Sequence, residues 1–366
     1  MMSALRRLRA LLARNPRLTA IVAVVALGAV ALVALLAGRG EPEETATAPS
    51  TTTSTTTTTA PTTTTTTEPP PPVAPLTGLT GDFGARLDRP ALVVKIDNVE
   101  RARPQAGLNQ ADIVFEEPVE GNLTRLAAVF HSTDADPVGP VRSVRTTDLE
   151  ILPLFGRPLF ASSGGNAGVV PQLHPAAVVD IGHNVSNQGF YRSGMRPAPH
   201  NLITSTPSLY GKALELPAPP EPLFAYLEPG DRHPPGSPAV GGVALRFGGP
   251  EVSRFTWDAA SRTWLRSQRG RPHVDARGVR VAPENVLVME ITYDHSGQRG
   301  RSVPHGVVTG RGRAWALVGG QAVEGTWRRP GLGDPLELKA LDGSEMKLTP
   351  GQTFVELTTP GGWSFI

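Results

Sequence analysis

The feature that most constrains this sequence is an uncharged stretch of twenty residues near the N-terminus, Leu18 to Ala37. A helix of that length crosses a hydrocarbon core of about 30 Å. Five arginines precede the stretch and Arg39 follows it, so the positive-inside rule predicts a basic cytoplasmic tail at 1–17, a transmembrane helix at 18–37 and an extracytoplasmic remainder. A cleaved signal peptide is the alternative, although its apolar region is normally shorter, about 7 to 15 residues.

The segment 38–75 is dominated by Thr, Pro, Ala and Glu and contains little that a core would bury. This composition predicts a disordered stalk, which we interpret either as a spacer that holds the folded region away from the membrane or as a neutral tether. The sequence contains no cysteine, so packing rather than disulfides must stabilise the nearly three hundred residues that follow.

The first part of the folded region alternates short apolar runs with helix signals. Three runs predict strands: 92–96, 113–115 and 126–130. Thr147 and Glu150 have the spacing of a capping box before an apolar helix. A second helix is predicted at 208–216, with Thr206 as its N-cap. Strands mixed with helices predict a mixed α/β domain at 76–216.

A Pro-rich linker is predicted at 217–240, and the pattern after it changes to short alternating segments without a helical period. These segments predict strands at 243–247, 254–257, 263–266, 286–292, 314–318, 322–327, 336–340 and 354–357. Gly319-Gly320 suits a tight hairpin turn, and Trp257 and Trp264 suit a cross-strand aromatic contact. The second domain, 241–366, is therefore predicted to be mostly antiparallel β, and the fold class α+β.

Composition and motifs exclude several classes of function. The formal charge is only +2, and several basic residues belong to the predicted tail, so no nucleic-acid partner is expected. The sequence contains no Ser-x-x-Lys pair, no His-Glu-x-x-His and no phosphate-binding glycine loop. We therefore predict no cofactor, and the sequence leaves open whether the protein is an enzyme.

Charged side chains combined with turn residues form the predicted binding set. It comprises Asp97, Asn98, Arg103, Glu116, Glu120, Arg125, Arg142, Arg145, His200, Asn201, His273 and Asp275. Arginines offer bidentate donors to carboxylates and phosphates, which are plentiful on cell-wall polymers. The alternative is internal pairing with carboxylates, those of Glu116, Glu117, Glu120 and Asp148. We favour internal pairing for Arg103 and Arg125, and ligand binding for Arg142 and Arg145.

Two chemical alternatives involve histidine. His200, with Glu116 or Glu120 as its partner, would make an acid/base pair. His273 and Asp275 lie two residues apart, on one face of an extended segment, and with His295 and His305 they offer ligands of the kind that zinc prefers. The alternative for His273 and Asp275 is hydrogen bonding within a local turn, and no metal is predicted.

The motifs, taken in order, resemble the YerB-like family of bacterial envelope proteins of unknown function. The resemblance is carried by Lys95–Asn98, Arg103–Gly107, Ala111–Glu116, Glu120–Leu126, Gly139–Arg145, Arg196–Asn201, Pro272–Asp275, Asn285-Val286, Gly325–Trp327 and Pro350–Thr353. It implies an exported lipoprotein with an α/β portion followed by a β-rich portion, and no established enzymatic activity. This sequence lacks the lipobox cysteine and has the predicted transmembrane helix in its place.

These observations predict a single-pass membrane protein whose extracytoplasmic part binds an envelope component without catalysis. The partners expected are a cell-wall polymer or an envelope protein, together with the membrane through one helix. The alternative is a wall-directed hydrolase or transferase that uses His200 with an acidic partner.

Overall fold

The computed structural model describes residues 71–165, 168–173, 178–248, 252–295 and 303–366. The predicted tail, the predicted membrane span and the predicted stalk up to residue 70 lie outside these ranges. Within them, no helix combines the length and the apolar character needed to cross a membrane.

The described residues are rich in strands and contain few helices. The strands are β1 (Leu92–Asp97), β2 (Ile113–Val119), β3 (Leu123–Phe130), β4 (Leu159–Ala161), β5 (Val179–Asp180), β6 (Tyr191–Arg192), β7 (Leu202–Ile203), β8 (Ala225–Tyr226), β9 (Gly242–Arg246), β10 (Val252–Asp258), β11 (Thr263–Gln268), β12 (Arg271–Pro272), β13 (Asn285–Glu290), β14 (Thr292–Asp294), β15 (His305–Val307), β16 (Gly310–Val318), β17 (Gln321–Arg329), β18 (Glu337–Ala340), β19 (Lys347–Leu348), β20 (Thr353–Thr358) and β21 (Trp363–Phe365). The α-helices are α1 (Asp148–Ile151) and α2 (Thr206–Lys212). Short 3-10 turns lie at Gly84–Asp88, Glu100–Ala102, Leu108–Gln110, Glu120–Asn122, Leu152–Phe155 and Val170–Leu173.

A ten-stranded sheet with the order β18-β17-β16-β13-β20-β2-β3-β1-β4-β5 organises the fold. Strand β20, from the C-terminal part of the chain, lies between β13 and β2 and runs parallel to both. The halves of the sequence on either side of residues 217–240 therefore contribute strands to one sheet. A second sheet has the order β12-β11-β10-β9-β21.

Residues of the large sheet alternate between two hydrophobic cores, as strand geometry requires. Strand β1 is buried along its whole length, and its near-continuous apolar run is typical of a strand covered on both faces. Val93 packs in one core with Phe155, which follows α1. Val94 packs in the other core with Phe255 and Trp264 of the second sheet. The second sheet thus covers one face, and α1 with its adjoining turn covers part of the other.

The predicted strands are confirmed in both halves. The N-terminal runs fall on β1, β2 and β3, and the later segments fall on β9, β10, β11, β13, β16, β17, β18 and β20. Gly319 and Gly320 have positive φ angles of 55° and 82° and join β16 to β17. Trp257 lies opposite Trp264 with ring centroids 4.9 Å apart, which confirms the cross-strand contact.

Both predicted helices exist, although α2 ends at Lys212 rather than at residue 216, and both predicted N-caps were wrong. Thr147 does not cap α1, because its hydroxyl accepts a hydrogen bond from the Gly306 N–H at 2.9 Å. The Glu150 carboxylate similarly accepts from the Val308 N–H at 3.2 Å, so the apparent capping box binds a distant segment. Helix α2 is capped by Ser205, whose hydroxyl accepts from the Ser208 N–H at 3.3 Å.

Residues 71–75 and 217–240, predicted as stalk and linker, are packed against the fold where the structure describes them. Ala74 is fully buried, and its N–H donates to the Leu79 carbonyl at 2.8 Å. Within 217–240, Leu223 and Phe224 are buried, and the following strand β8 pairs with β19. Scattered apolar side chains in these Pro-rich segments therefore find places in the core.

Candidate functional site

The charged residues that end β1 are positioned by backbone bonds to the segment that follows the Gly139-Pro140 bond. The Asp97 N–H donates to the Pro140 carbonyl at 2.9 Å, and the Arg142 N–H donates to the Lys95 carbonyl at 2.8 Å. These bonds place the Arg142 side chain beside the buried Asp97 carboxylate, with Nε 3.0 Å from Oδ2. This contact is an ion pair rather than an aligned hydrogen bond.

A second loop brings His200 to the same carboxylate. The Val141 N–H donates to the Leu202 carbonyl at 2.7 Å, which docks the start of β7 against this segment. Gly139 has φ +140°, and a Cβ there would lie 2.8 Å from the Leu202 oxygen, so this close approach requires glycine. His200 Nδ1 consequently lies 2.8 Å from Asp97 Oδ2.

Arg125 lies directly opposite Asp97 in the pairing of β1 with β3. Its Nη1 donates to the Ser143 carbonyl at 2.9 Å, a backbone partner rather than one of the carboxylates predicted for internal pairing. Burial, together with the positive charges of Arg145 and Arg142, lowers the pKa of Arg125 from 12.5 to about 10. The arginines are therefore close enough to repel one another.

Arg145 completes the group by pairing with Glu120, with Nε 2.6 Å from Oε2. Burial alone would raise the pKa of Glu120, but the hydrogen bond and charge of Arg145 outweigh burial and lower it. We call Arg125, Arg142 and Arg145 the arginine cluster. Its carboxylate partners are Asp97 and Glu120, and the buried Glu117 also acts on Arg125 electrostatically. The three guanidinium groups therefore converge, and the negative charges of Asp97, Glu117 and Glu120 offset their positive charge.

Asn98 and Glu116 belong instead to a fully buried polar network between the two halves. Glu116 accepts from Asn98 Nδ2 at 3.0 Å and from Arg266 Nη2 of β11 at 2.6 Å. Glu356 of β20 lies directly opposite Glu116. Burial, followed by the charge of Glu116, raises the pKa of Glu356 well above its usual range. These residues join strands rather than face a ligand.

A second buried charge group lies behind the arginine cluster. Lys95 Nζ binds Glu117 and lies 2.7 Å from Asp148 Oδ1. The other oxygen of Asp148 accepts from the Arg145 N–H at 2.7 Å. Burial and the negative charge of Asp148 raise the pKa of Glu117 to about 7. The positive charge of Lys95 offsets these effects only in part.

His273 and Asp275 have separate structural roles. His273 Nε2 lies 2.8 Å from Gln105 Oε1, and Nδ1 binds Arg266. Asp275 Oδ1 accepts from two backbone N–H groups of its own turn at 2.9 Å, which confirms the local-turn alternative for this residue. His305 lies elsewhere, 3.7 Å from Glu150. Across the described ranges no group of three His, Asp or Glu side chains could hold a metal ion.

Arg103 and Asn201 lie at the borders of this region. Arg103 lines a cleft of about 500 Å³ between the turn that begins at Glu100 and the β11–β12 hairpin. Asn201 donates to the Ser193 carbonyl at 3.0 Å and accepts from Arg192 Nη1 at 2.9 Å, so it orders the loop beside His200.

The structure thus brings Asp97, His200 and the arginine cluster together. The acid/base pairing predicted for His200 named the wrong carboxylates: Glu116 is bound by Arg266, Glu120 pairs with Arg145, and His200 pairs with Asp97.

Sequence reasoning gave no role to Arg266 or Glu356, and it did not pair Lys95 with Glu117. A usable signal was present, because Lys95 and Glu356 interrupt apolar runs in β1 and β20, and Arg266 falls on the buried face of an alternating strand. A charge within a buried strand needs a partner, so such positions indicate a buried network.

Comparison with known proteins gives a consistent result over most of the chain. Residues 76–217 match the N-terminal domain, and residues 243–355 the C-terminal domain, of a family described as proteins of unknown function (DUF3048). A Bacillus subtilis (strain 168) protein named "Putative lipoprotein YerB" is 29% identical over 297 residues, which cover 78% of this chain and 85% of that protein. The crystal structure of the YerB protein from Bacillus subtilis matches with a TM-score of 0.71 and 26% identity, over 80% of this chain and 99% of that one.

The chain is therefore a member of a class of strand-rich proteins with few helices that are built from these two domains. The chain belongs to the YerB-like family.

Proposed function

We propose that this protein is held at the membrane on the extracytoplasmic side and binds an anionic component of the cell envelope through the arginine cluster, without turning it over. The location is supported by the predicted span at 18–37 and by the name of the Bacillus subtilis relative, a lipoprotein. A fusion test addresses it directly. A reporter that works only outside the cytoplasm should be active when it is fused after Gly38, and a reporter that works only in the cytoplasm should be inactive there. The opposite result would contradict the proposed orientation.

The observation that carries the binding proposal is the convergence of three guanidinium groups, two of which reach solvent. Arg142 and Arg145 retain side-chain exposures of 23% and 12%, so an anion can reach them from solvent. Guanidinium groups bind carboxylates and phosphates in bidentate geometry. A bound anion would also reduce the mutual repulsion that, after burial, lowers the pKa of Arg125.

A paired substitution tests the proposal. Arg142→Gln with Arg145→Gln should weaken the binding of full-length protein to purified cell wall by more than about tenfold, which corresponds to about 1.4 kcal/mol. Binding should also weaken with added salt. The matched control is Arg157→Gln, because Arg157 forms an exposed pair with Glu215 outside the cluster.

Internal pairing alone predicts a different result from the same preparations. The double variant would then lose stability, because Glu120 and Asp97 lose arginine partners, but it would bind cell wall normally once folded protein is counted. Asp148 would be unaffected, since Lys95 and a backbone N–H hold it. Thermal melts and a pelleting assay separate these outcomes.

A second candidate function follows from the pair formed by His200 and Asp97. A carboxylate 2.8 Å from Nδ1 orients an imidazole so that Nε2 would act as a general base. A hydrolase or transferase of this kind should release soluble fragments from purified peptidoglycan, and His200→Gln should abolish release while wall binding persists. Pelleting without released fragments supports binding alone.

A further inference from the structure

A row of three charged side chains crosses one face of the large sheet at the arginine cluster. Strand pairing places Asp97 of β1 opposite Arg125 of β3, and it places Arg125 opposite Glu117 of β2. Residues that pair directly across neighbouring strands lie on the same face of a sheet. Arg125 therefore lies between two carboxylates, and one of them, that of Glu117, is completely buried.

A second connection runs from Glu117 to Arg145. Glu117 Oε1 binds Lys95 Nζ, which also lies 2.7 Å from Asp148 Oδ1. The other oxygen of Asp148 accepts from the Arg145 N–H at 2.7 Å. Glu117 Oε2, in contrast, has no hydrogen-bond partner among the residues that the structure describes. Glu117 is thus bound through one oxygen, and the other can carry a proton without displacing a partner.

The protonation equilibrium of Glu117 falls in the neutral range. Burial, together with the negative charge of Asp148, raises its pKa to about 7, against the lowering effects of Lys95 and Arg125. The charge of Glu117 also acts on Tyr293 of β14, but burial comes first in raising the pKa of this tyrosine well above its usual value. Glu117 therefore changes charge near neutral pH, whereas Tyr293 stays protonated there.

We propose that Glu117 is a proton switch for the arginine cluster: an anion binds the cluster together with protonation of Glu117, so the site holds anions more tightly in acidic than in alkaline surroundings. This inference rests on the proposed function, because it assigns the regulation of that same site. A proton on Glu117 removes one of the negative charges that offset the arginines, and a bound anion replaces it. Linkage is reciprocal, so the anion promotes proton binding as much as the proton promotes anion binding.

Proton uptake during binding tests the switch. The probe is inositol hexasulfate, whose sulfate groups stay ionised near neutral pH, so any proton that is taken up binds to the protein. Calorimetric titrations of full-length protein in detergent, in two buffers of different ionisation enthalpy, measure the number of protons taken up. We expect about 0.3 proton per bound probe at about pH 7.5, and an affinity about threefold or more higher at about pH 6 than at about pH 8.5.

Substitutions then identify the group that takes up the proton. His200 faces Asp97, and histidine is the residue type that changes charge between about pH 5 and pH 8. The titrations are therefore repeated with His200→Gln, which should still show uptake, and with His200→Gln plus Glu117→Gln, which should not. The matched control adds Asp112→Asn to His200→Gln instead. Asp112 is a buried carboxyl with a pKa raised by burial to about 6, but it is bound by Ser132 outside the cluster, so uptake should persist.

The outcomes separate this inference from the proposed function. If the wild type binds the probe without proton uptake, or if His200→Gln alone abolishes uptake, the switch is wrong and the proposed function stands. The switch is equally wrong if uptake survives the addition of Glu117→Gln. If Arg142→Gln with Arg145→Gln binds the probe like wild type, the arginine cluster is not an anion site, and the proposed function and the switch both fail. Uptake that persists without His200 and is lost without Glu117 supports the switch.

Discussion

At the scale of single residues, Asp97 is the group on which the arginine cluster depends. Its carboxylate is 1% exposed and receives both Arg142 and His200. It therefore has two effects. It stabilises the fold, and it offsets positive charge of the arginine cluster that a bound anion would otherwise neutralise.

Asp97→Asn should separate these two effects. We expect a loss of about 2 kcal/mol in the free energy of unfolding, because charged partners lose their acceptor. We expect anion affinity to rise, because the cluster gains one unit of net charge. Urea denaturation and a tripolyphosphate titration measure the two quantities. Asp134→Asn is the control: it removes a carboxylate 2.8 Å from Arg89 and should lower stability without changing anion affinity.

Glu117 gives a prediction for the dependence of stability on pH. Burial raises its pKa from 4.5 to about 7, so the folded protein binds more protons than the unfolded chain between these values. The contribution of Glu117 to stability is therefore greatest below pH 4.5 and declines as the pH rises through about 7. Glu117→Gln should remove this decline in urea midpoints measured across the range.

A histidine supplies a control with the opposite sign. Burial lowers the pKa of His131 from 6.5 to about 4, so the unfolded chain binds more protons in that window. Stability should rise with pH from about 4 to 6.5, and His131→Gln should remove that rise. An unchanged pH profile in both variants would contradict the protonation states assigned to these groups.

At the scale of elements, Arg266 of β11 joins the second sheet to the large one. Its guanidinium binds Glu116 of β2 in a fully buried pair. Arg266→Met should cost about 3–5 kcal/mol in the free energy of unfolding, because Glu116 is left buried without its cation.

The matched double variant tests that cause. Arg266→Met with Glu116→Gln removes both charges and should recover a substantial part of the lost stability. If the double variant is as unstable as the single one, the loss comes from side-chain packing rather than from the stranded charge. Equilibrium urea unfolding of the three proteins decides between these causes.

Elements with a local signal were predictable from the sequence, and their partners were not. The alternation in β10 and β11 and the turn at Gly319-Gly320 depend on adjacent residues, so these predictions were confirmed. Asp97 and His200 are 103 residues apart, and only tertiary structure pairs them. The capping-box pattern at Thr147 gave a wrong N-cap. The spacing of two residues does not show from which N–H group the threonine hydroxyl accepts a hydrogen bond.

The positions of the residues in the predicted binding set were predictable in part for the same reason, and their role in binding stays a prediction. Arg142 and Arg145 stand beside a Gly-Pro turn, a local cue, and the structure places both in one cluster with Arg125. Asn98 and Glu116 share the polar character of those residues, yet they lie in the buried network. Composition alone does not separate a buried polar group from a surface one.

At the scale of the whole molecule, the shared sheet predicts that the two halves do not fold separately. Residues 71–240 alone would leave β2 without β20, and residues 241–366 alone would leave β20 with only β13. Each half expressed alone should lack a cooperative unfolding transition, and co-expression should restore one. A half that unfolds cooperatively by itself would show that the shared sheet is not required for its stability.

The position of β20 in the sheet also sets when folding can finish during synthesis. Thr353–Thr358 forms the strand that links β2 to β13, and it follows both of them in the sequence. A nascent chain emerging from its N-terminus exposes one side of β2 until β20 has been made. The large sheet therefore closes only after the whole segment from β2 to β20 has been synthesised.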